Sequence, residues 1–378
     1  MIKKDKYIPV SQPLLGESEI SYVNDALSKG AISGFFGEYI SRFERAFAGY
    51  SDCGYGVATT SGTTALHLAL LALSLKKGDE VLVSTLTNMA TFFAVLYMGA
   101  TPIPIDIEDD TWNLDPTLLE AKITPRTRAI VVVHLFGHPV DMDPVVEIAQ
   151  KYNLSVIEDC AEAHGATYKG KKVGSLGTVG CFSFYANKII TTGEGGMITT
   201  NDPSIHERAR MLRGLAFGES NKFMHQDIGY NYRMTNLQAA MGCAQLEKIE
   251  TIIMGKRRVA SFYTDKLKDL PSLLQLPVEK SYARNVYWMY HIVLKGKAAG
   301  KRSVIMKKLL DKGIETREGF IPYNMQDIFI RKGWTHPEDC PKANAVSENS
   351  FYLPSTPDLT EEDLDYIVEN LRTALITG

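Results

Sequence analysis

The sequence has no CxxC pair, no histidine cluster at metal-ligand spacing, and no apolar run of about 18 residues. The first two absences leave no zinc-site signature. The five cysteines, at positions 53, 160, 181, 243 and 340, are scattered and read as reduced thiols of a cytoplasmic protein. The third leaves no segment expected to span a membrane. The opening MIKKDKYIPV has no apolar core after its lysines, so it does not read as a signal peptide. Neither sign of charge dominates. With 41 basic and 44 acidic residues the net charge is −3, and neither a nucleic-acid nor a membrane partner is expected. Repeats and low-complexity stretches are also missing. No GxGxxG follows a strand in the first half of the chain, which removes the signature of a nicotinamide-dependent oxidoreductase.

What is present is an ordinary globular composition, 45% hydrophobic and 22% charged over 378 residues, long enough for two domains. Ile20, Val23 and Leu27 recur at helical spacing and predict an amphipathic helix over 17–29. From 55 to 73 the pattern reads strand, Ser/Gly/Thr turn, buried helix. Strands are predicted at 79–84, 128–136 and 155–159, with helices at 90–100 and 142–152. TPIPID (101–106) has strand character, and its prolines place it at a sheet edge or a strand end. CFSFY (181–185) and GGMITT (195–200) predict two more strands joined by a loop. Strands alternating with helices imply an α/β layer with a mostly parallel sheet over residues 1–250. The pattern then changes: helices at 247–268 and 301–312, strands at 287–296 and near ETREGF, and a terminal helix at 359–375 predict a smaller α+β domain over 251–378. The polar, aromatic segment 215–236 is too rich in functional groups for a plain linker.

Three features carry chemistry. Lys188, in CFSFYANKIITTGEGGM, is a solvated cation, a phosphate-gripping lysine or a lysine that reacts covalently. The P-loop reading fails because the glycines follow the lysine and lead into a strand. A covalent lysine must reach a carbonyl from a fixed element and sit where its pKa can fall, which the preceding apolar run permits. Asp159, in IEDCAEAHGA, ends an apolar strand. It reads equally as a helix cap and as the carboxylate that holds a protonated ring nitrogen, as pyridoxal 5'-phosphate requires. In TSGTTAL (60–66) a turn opens a helix and offers free N–H groups to an anion. Gly62 and Thr63 are the phosphate candidates, beside plain capping by Thr60 or Ser61. Ser183 offers another hydroxyl, although a lone serine in a strand usually just packs.

The chain resembles the DegT-type sugar aminotransferases, pyridoxal-phosphate enzymes of the aspartate-aminotransferase fold (fold type I). The likeness runs from IPVSQPLLGESEI to FYLPSTPDLTEED. GHPVDMD (137–143), VIEDCAEAHG (156–165), NKIITTGEGGM (187–197) and IGYNYRMTN (228–236) are similar to the GDP-perosamine synthase branch. The resemblance implies that Lys188 links to the cofactor and shuttles protons, and that Asp159 holds the pyridine nitrogen. It places Glu162 near the ring hydroxyl, Gly62, Thr63 and Ser183 on the phosphate, and Asn231 on the phosphate of a neighbouring subunit's cofactor, hence a homodimer with shared sites. Arg317, Phe320 and Tyr323 fall where the family meets substrate. L-glutamate is the implied donor, leaving 2-oxoglutarate, and a keto-sugar the acceptor.

The pattern departs from the family at two places. Asn88 stands where an aromatic residue usually stacks on the cofactor ring, and an amide supplies less stacking area. AISGFFGEYI (31–40) differs from the Trp/Ser-rich version of the perosamine branch. Both leave the acceptor open between a nucleotide-linked 4-keto-6-deoxy sugar, another keto-sugar and a small phosphorylated ketone. Two other family roles fit less well: a dehydratase has histidine in place of Lys188, and a non-catalytic cofactor-binding regulator would not need every reacting position filled.

Overall fold

The computed structural model describes residues 7–218, 221, 223–225 and 227–377. The first residues of the opening segment and Glu219, Ser220, Lys222 and Gln226 of the 215–236 segment lie outside the described residues.

Helix α1 (Glu17–Ser28) forms where its periodicity predicts but turns a different face inward. Glu19 and Ala26 are buried, whereas Ile20 and Leu27 are 63% and 51% exposed. A carboxylate tolerates that burial because donors meet it. Glu19 accepts from the Gly16 N–H at 2.8 Å and the Gln245 amide at 2.7 Å, and pairs with Lys248 at 2.7 Å. Helix α2 (Tyr39–Tyr50) was not anticipated. Its buried Tyr39, Phe43 and Phe47 recur every four residues, a signal the sequence carried.

The α/β alternation follows: β1 (Tyr55–Thr59), α3 (Gly62–Ala72), β2 (Glu80–Ser84), α4 (Ala90–Tyr97), β3 (Thr101–Ile105), β4 (Thr127–Val133), α5 (Met142–Tyr152) and β5 (Ser155–Asp159). A small hairpin, β6 (Thr167–Tyr168) and β7 (Lys171–Lys172), precedes β8 (Val179–Ser183) and β9 (Gly196–Thr200). Seven strands join in the order β1-β9-β8-β5-β4-β2-β3. Only β9 runs against the others. The proline-bearing β3 takes the edge, where a strand without two of its N–H groups costs least. Strand β4 stops three residues short of its expected end. At Leu135–Gly137 the chain makes a turn with φ 53° at Phe136 and 102° at Gly137, and a Cβ on Gly137 would lie 2.8 Å from the Tyr287 nitrogen.

Helices α6 (Pro203–Arg213), α7 (Asn236–Glu247) and α8 (Ile249–Leu267) follow. Helix α6 was missed although Asp202-Pro203 marks its start: the Asp202 carboxylate accepts from the Ser204 N–H at 2.7 Å, and proline suits the first helical position. The helix expected over 247–268 is α8, and α7 before it was not anticipated. Thr235 and Gln238 form a capping box that opens α7, and the chain breaks at Lys248.

The C-terminal part contains β10 (Leu274–Gln275), β11 (Ala283–Arg284), β12 (Tyr290–Leu294), α9 (Arg302–Leu310), β13 (Arg317–Glu318), α10 (Asp327–Arg331), α11 (Pro341–Asn349), β14 (Ser350–Leu353) and α12 (Glu361–Thr377). A four-stranded antiparallel sheet, β10-β12-β14-β13, packs its own core around Tyr263, Tyr290, Ile292, Leu309, Leu364 and Leu371. Strand β11 instead pairs with β6, tying this part back to the first. The strand expected over 287–296 begins only at Tyr290. Tyr287 has φ 48°, which takes Trp288 out of the ladder and into the space beside Lys188.

Candidate active site

A cavity of about 410 Å³ opens where β4, β5 and β8 end and α3 begins, the carboxyl edge where open α/β sheets place ligands. Strand alternation explains its first group. Glu158 and Asp159 are neighbours in β5 and so face opposite sides of the sheet. Asp159 lines the cavity, buried. Its Oδ2 accepts from the Thr91 hydroxyl at 2.8 Å and its Oδ1 from the Ala161 N–H at 3.1 Å. Burial pushes its pKa up, against these donors and the charge of Lys188. Because Thr91 spends its hydrogen on Asp159, the Thr87 hydroxyl, 3.1 Å away, donates to Thr91.

Glu158, on the other side, is a clamp. It accepts from the N–H groups of Gly174, Leu176 and Gly177 at 2.7–2.8 Å and lies 2.9 Å from the Nε2 of His134. His134 Nδ1 accepts from the Val140 N–H, so the proton of a neutral ring sits on Nε2 and points at Glu158. Cys160 lies against the same pair. Sequence spacing could not show this trio, and its hydrogen bonds account for it without an ion.

Lys188 follows β8, its side chain 11% exposed. Its Nζ lies 3.9 Å from Glu162 Oε1 and 3.9 Å from the centre of the Trp288 ring. Burial drives its pKa down, opposed by the charges of Glu162 and Asp159. Glu162 is pushed up to about 7 by burial, opposed by Lys188 and by the Phe136 N–H, which donates to it at 2.8 Å. Burial thus shifts the two partners toward each other, favouring the neutral form of each.

Two glycines, Gly196 after Lys188 and Gly62 in the turn before α3, have a packing reason. A Cβ on Gly196 would lie 2.3 Å from the Ser61 carbonyl oxygen, and one on Gly62 2.6 Å from Ser183 Cβ. Strands β8 and β9 thus press directly against the turn that opens α3. Ser61 caps that helix by accepting from the Thr64 N–H. The N–H groups of Gly62 and Thr63 find no acceptor among the described residues. They sit at a helix N-terminus on the cavity wall, where an anion is favoured.

Of the predicted site residues, Gly62, Thr63, Asn88, Asp159, Glu162, Ser183, Lys188, Arg317 and Phe320 line this cavity. The Asn88 side chain turns back and accepts from the Ala90 N–H at 3.0 Å, just before α4. Two residues fall outside. Asn231 is exposed on the 228–236 loop, its backbone bridged to Gly214. Tyr323 is a core residue, 1% exposed and stacked on Phe92 at 4.2 Å, because Pro322 starts a turn that tucks the ring under α4. It belongs to the packing, not to the substrate wall. Sequence reasoning missed Thr87, Tyr185, Asn187, Trp288 and Tyr352. Trp288 and Tyr352 come from distant segments and carry no local signal, whereas Thr87 and Thr91 are one helical turn apart.

The cavity thus joins an anion cradle, a buried carboxylate in need of a cationic partner, and a lysine whose pKa burial lowers, the three contacts of a phosphorylated pyridine. Over residues 13–372 the sequence matches the model of the DegT/DnrJ/EryC1/StrS aminotransferase family. The chain belongs to that family. It is 44% identical to a GDP-perosamine synthase of Escherichia coli O157:H7, over 97% of this chain and 98% of that one. It is 43% identical to another from Caulobacter vibrioides, over 98% of both. Spr1654 of Streptococcus pneumoniae, in its pyridoxal-phosphate form, superposes with a TM-score of 0.92 at 28% identity, covering 98% of this chain and 99% of that one. This aminotransferase is pyridoxal-phosphate dependent, with the α/β fold of those neighbours.

Proposed function

We propose that the protein moves an amino group from L-glutamate to a GDP-linked 4-keto-6-deoxy sugar, for surface-polysaccharide synthesis in the cytoplasm. One observation carries the reading: Lys188, Asp159 and the free N–H groups of α3 open on one cavity in a chain 44% identical to a GDP-perosamine synthase over nearly its whole length.

When bound, pyridoxal phosphate supplies a carbonyl that captures amines and a ring that accepts electrons from the neighbouring C–H bond. In this reading Lys188 is the amine that holds the cofactor covalently. Once displaced by glutamate, it takes the proton from the substrate carbon and returns it to the cofactor side, and in the second half-reaction it works in reverse. A lysine whose pKa burial lowers suits both directions. Asp159 keeps the ring nitrogen charged, and Thr87 and Thr91 keep Asp159 turned toward it. Gly62, Thr63 and Ser183 hold the phosphate. Glu162 meets the ring hydroxyl, and Arg317 and Phe320 meet the acceptor. Asn88, whose amide oxygen accepts from the Ala90 N–H, would offer the cofactor less stacking area than an aromatic residue.

Asn231 serves the neighbouring subunit's phosphate in this proposal, so the working unit is a homodimer. Its exposure outside the cavity of its own chain supports this, as do the exposed Ile20, Leu27, Ile32, Phe35 and Phe36 near the N-terminus. The division between a larger domain ending near 250 and a smaller one beginning near 251 is part of the same proposal, supported by the separate seven- and four-stranded sheets.

The test loads the enzyme with pyridoxamine phosphate and offers GDP-, UDP- and dTDP-linked 4-keto-6-deoxy sugars in turn. The GDP-linked sugar is expected to restore the visible absorption of the pyridoxal form most rapidly. Restoration only by another nucleotide sugar, or by none, would remove the GDP-sugar assignment.

A further inference from the structure

Lys188 must be free of the cofactor while it carries protons, and a free ammonium in a dry cavity needs a place to rest. Trp288 offers one. Its ring centre lies 3.9 Å from Lys188 Nζ, inside the range of a strong cation–π contact. The ring is 3% exposed and fixed twice. Its indole N–H donates to the Asn187 carbonyl at 2.7 Å, immediately before Lys188 in the chain. Its own carbonyl accepts from the buried Lys256 at 3.0 Å. The ring is therefore held in register with the segment that carries the amine.

We infer that Trp288 is a positioning residue: its indole face seats the ammonium of Lys188 whenever that amine is not bound to the cofactor. The inference rests on the assignment of Lys188 as the reacting amine. The face favours the charged form, against the burial that favours the neutral one, so Trp288 keeps the amine able to hold a proton between its two transfers. Other groups face the same amine. Asp159 and Glu162 approach from the end of β5 and the turn after it, and His164, pushed down to about 3 by burial, lies further along that segment. Glu194, Tyr185, Arg317 and Tyr352 line the same cavity. Of the carboxylates, Glu162 is the nearest rival for the role.

Competitive acetylation of the cofactor-free protein, read on the Lys188 peptide by mass spectrometry across pH, measures the amine's titration without turnover. Trp288→Leu is expected to move the Lys188 midpoint down by roughly half to one and a half pH units, and Trp288→Phe to move it less than half as far. A Leu midpoint equal to that of wild type would overturn the inference, as would Phe and Leu variants that fall equally. So would a fall in Glu162→Gln that the Leu variant does not share.

A measurement on the wild-type chain guards against a Leu variant that fails to fold. After ¹³C reductive methylation, the Lys188 methyl resonance is expected upfield of those of exposed lysines through the indole ring current. A random-coil position would count against the seat. Borohydride reduction of the loaded protein, followed by peptide mapping, checks the underlying assignment separately. Cofactor trapped on another lysine would sink the role of Lys188, whatever Trp288 does.

Discussion

Lys188 and Lys256 meet opposite ends of the same tryptophan, and burial drives both toward neutrality. Their surroundings differ. Lys188 faces a cavity and has Glu162 at 3.9 Å, with Asp159 adding its charge. Lys256, in α8, is 3% exposed; its Nζ donates to the carbonyls of Trp288 at 3.0 Å and Ser355 at 2.9 Å. Burial pushes its pKa down to about 7. Desolvation is therefore common to both, and the partners differ. Lys188 has carboxylates beside it and opens on a cavity, whereas Lys256 spends its donors on backbone oxygens.

If that distinction holds, the largest effect comes from the cavity. Lys188→Ala should lower turnover by about 10³-fold or more, since the covalent anchor and the proton carrier go together. The same variant tests the shared site. Mixed with Asn231→Ala subunits and allowed to exchange, it should recover roughly a quarter of wild-type activity, because one of the two sites in each mixed dimer regains both residues. No recovery would confine each site to one chain. Asp159→Asn should cost about 10²–10³-fold, by removing the charge that holds the ring nitrogen protonated. Turnover near the wild-type rate would reduce Asp159 to its hydrogen bonds with Thr91 and Ala161.

These two residues were legible in the sequence because each sits in a local motif with a chemical reason: a carboxylate closing an apolar strand, and a lysine between an aromatic run and glycines. The reason for Gly196 was not legible. It serves strand-against-turn packing at Ser61, which exists only once β9 reaches α3. Most of the α/β alternation was readable from periodicity, and α5 matched its expected span. Helix α1 was placed correctly with the wrong face inward, because the Lys248 ion pair and the Gln245 hydrogen bond that help to bury Glu19 come from residues more than 200 positions away. Tyr323 came with Phe320 in the GFIPY stretch that the resemblance implied, but Phe320 lines the cavity whereas Tyr323, where a turn begins, is buried in the core. Trp288 and Lys256 were invisible for the same reason. Lys256 sits in MGKRRV, which reads as the solvated face of a basic helix, and only the packing of α8 against the Trp288 and Ser355 segments reveals its partners.

The smallest effect is expected at Lys256, on stability before activity. Lys256→Met keeps the bulk of the side chain but strands two buried carbonyls, which should cost about 1–3 kcal/mol of folding stability. The size of the deficit depends on pH in a defined direction. The folded pKa of Lys256, about 7, lies below that of a lysine in an unfolded chain. Between about pH 7 and 10 the unfolded chain therefore binds more protons than the folded one, and wild-type stability gains from Lys256 as pH rises. The methionine variant lacks this gain. Its deficit in urea melts should be smallest below pH 7, where the wild type bears the full cost of a buried ammonium, and should widen toward pH 10. Other titrating groups are common to both proteins and cancel in the difference. A deficit that is flat or that narrows with pH would mean that Lys256 stays charged in the folded protein. The contrast with Lys188 would then lie in their partners alone, with no common tendency toward neutrality.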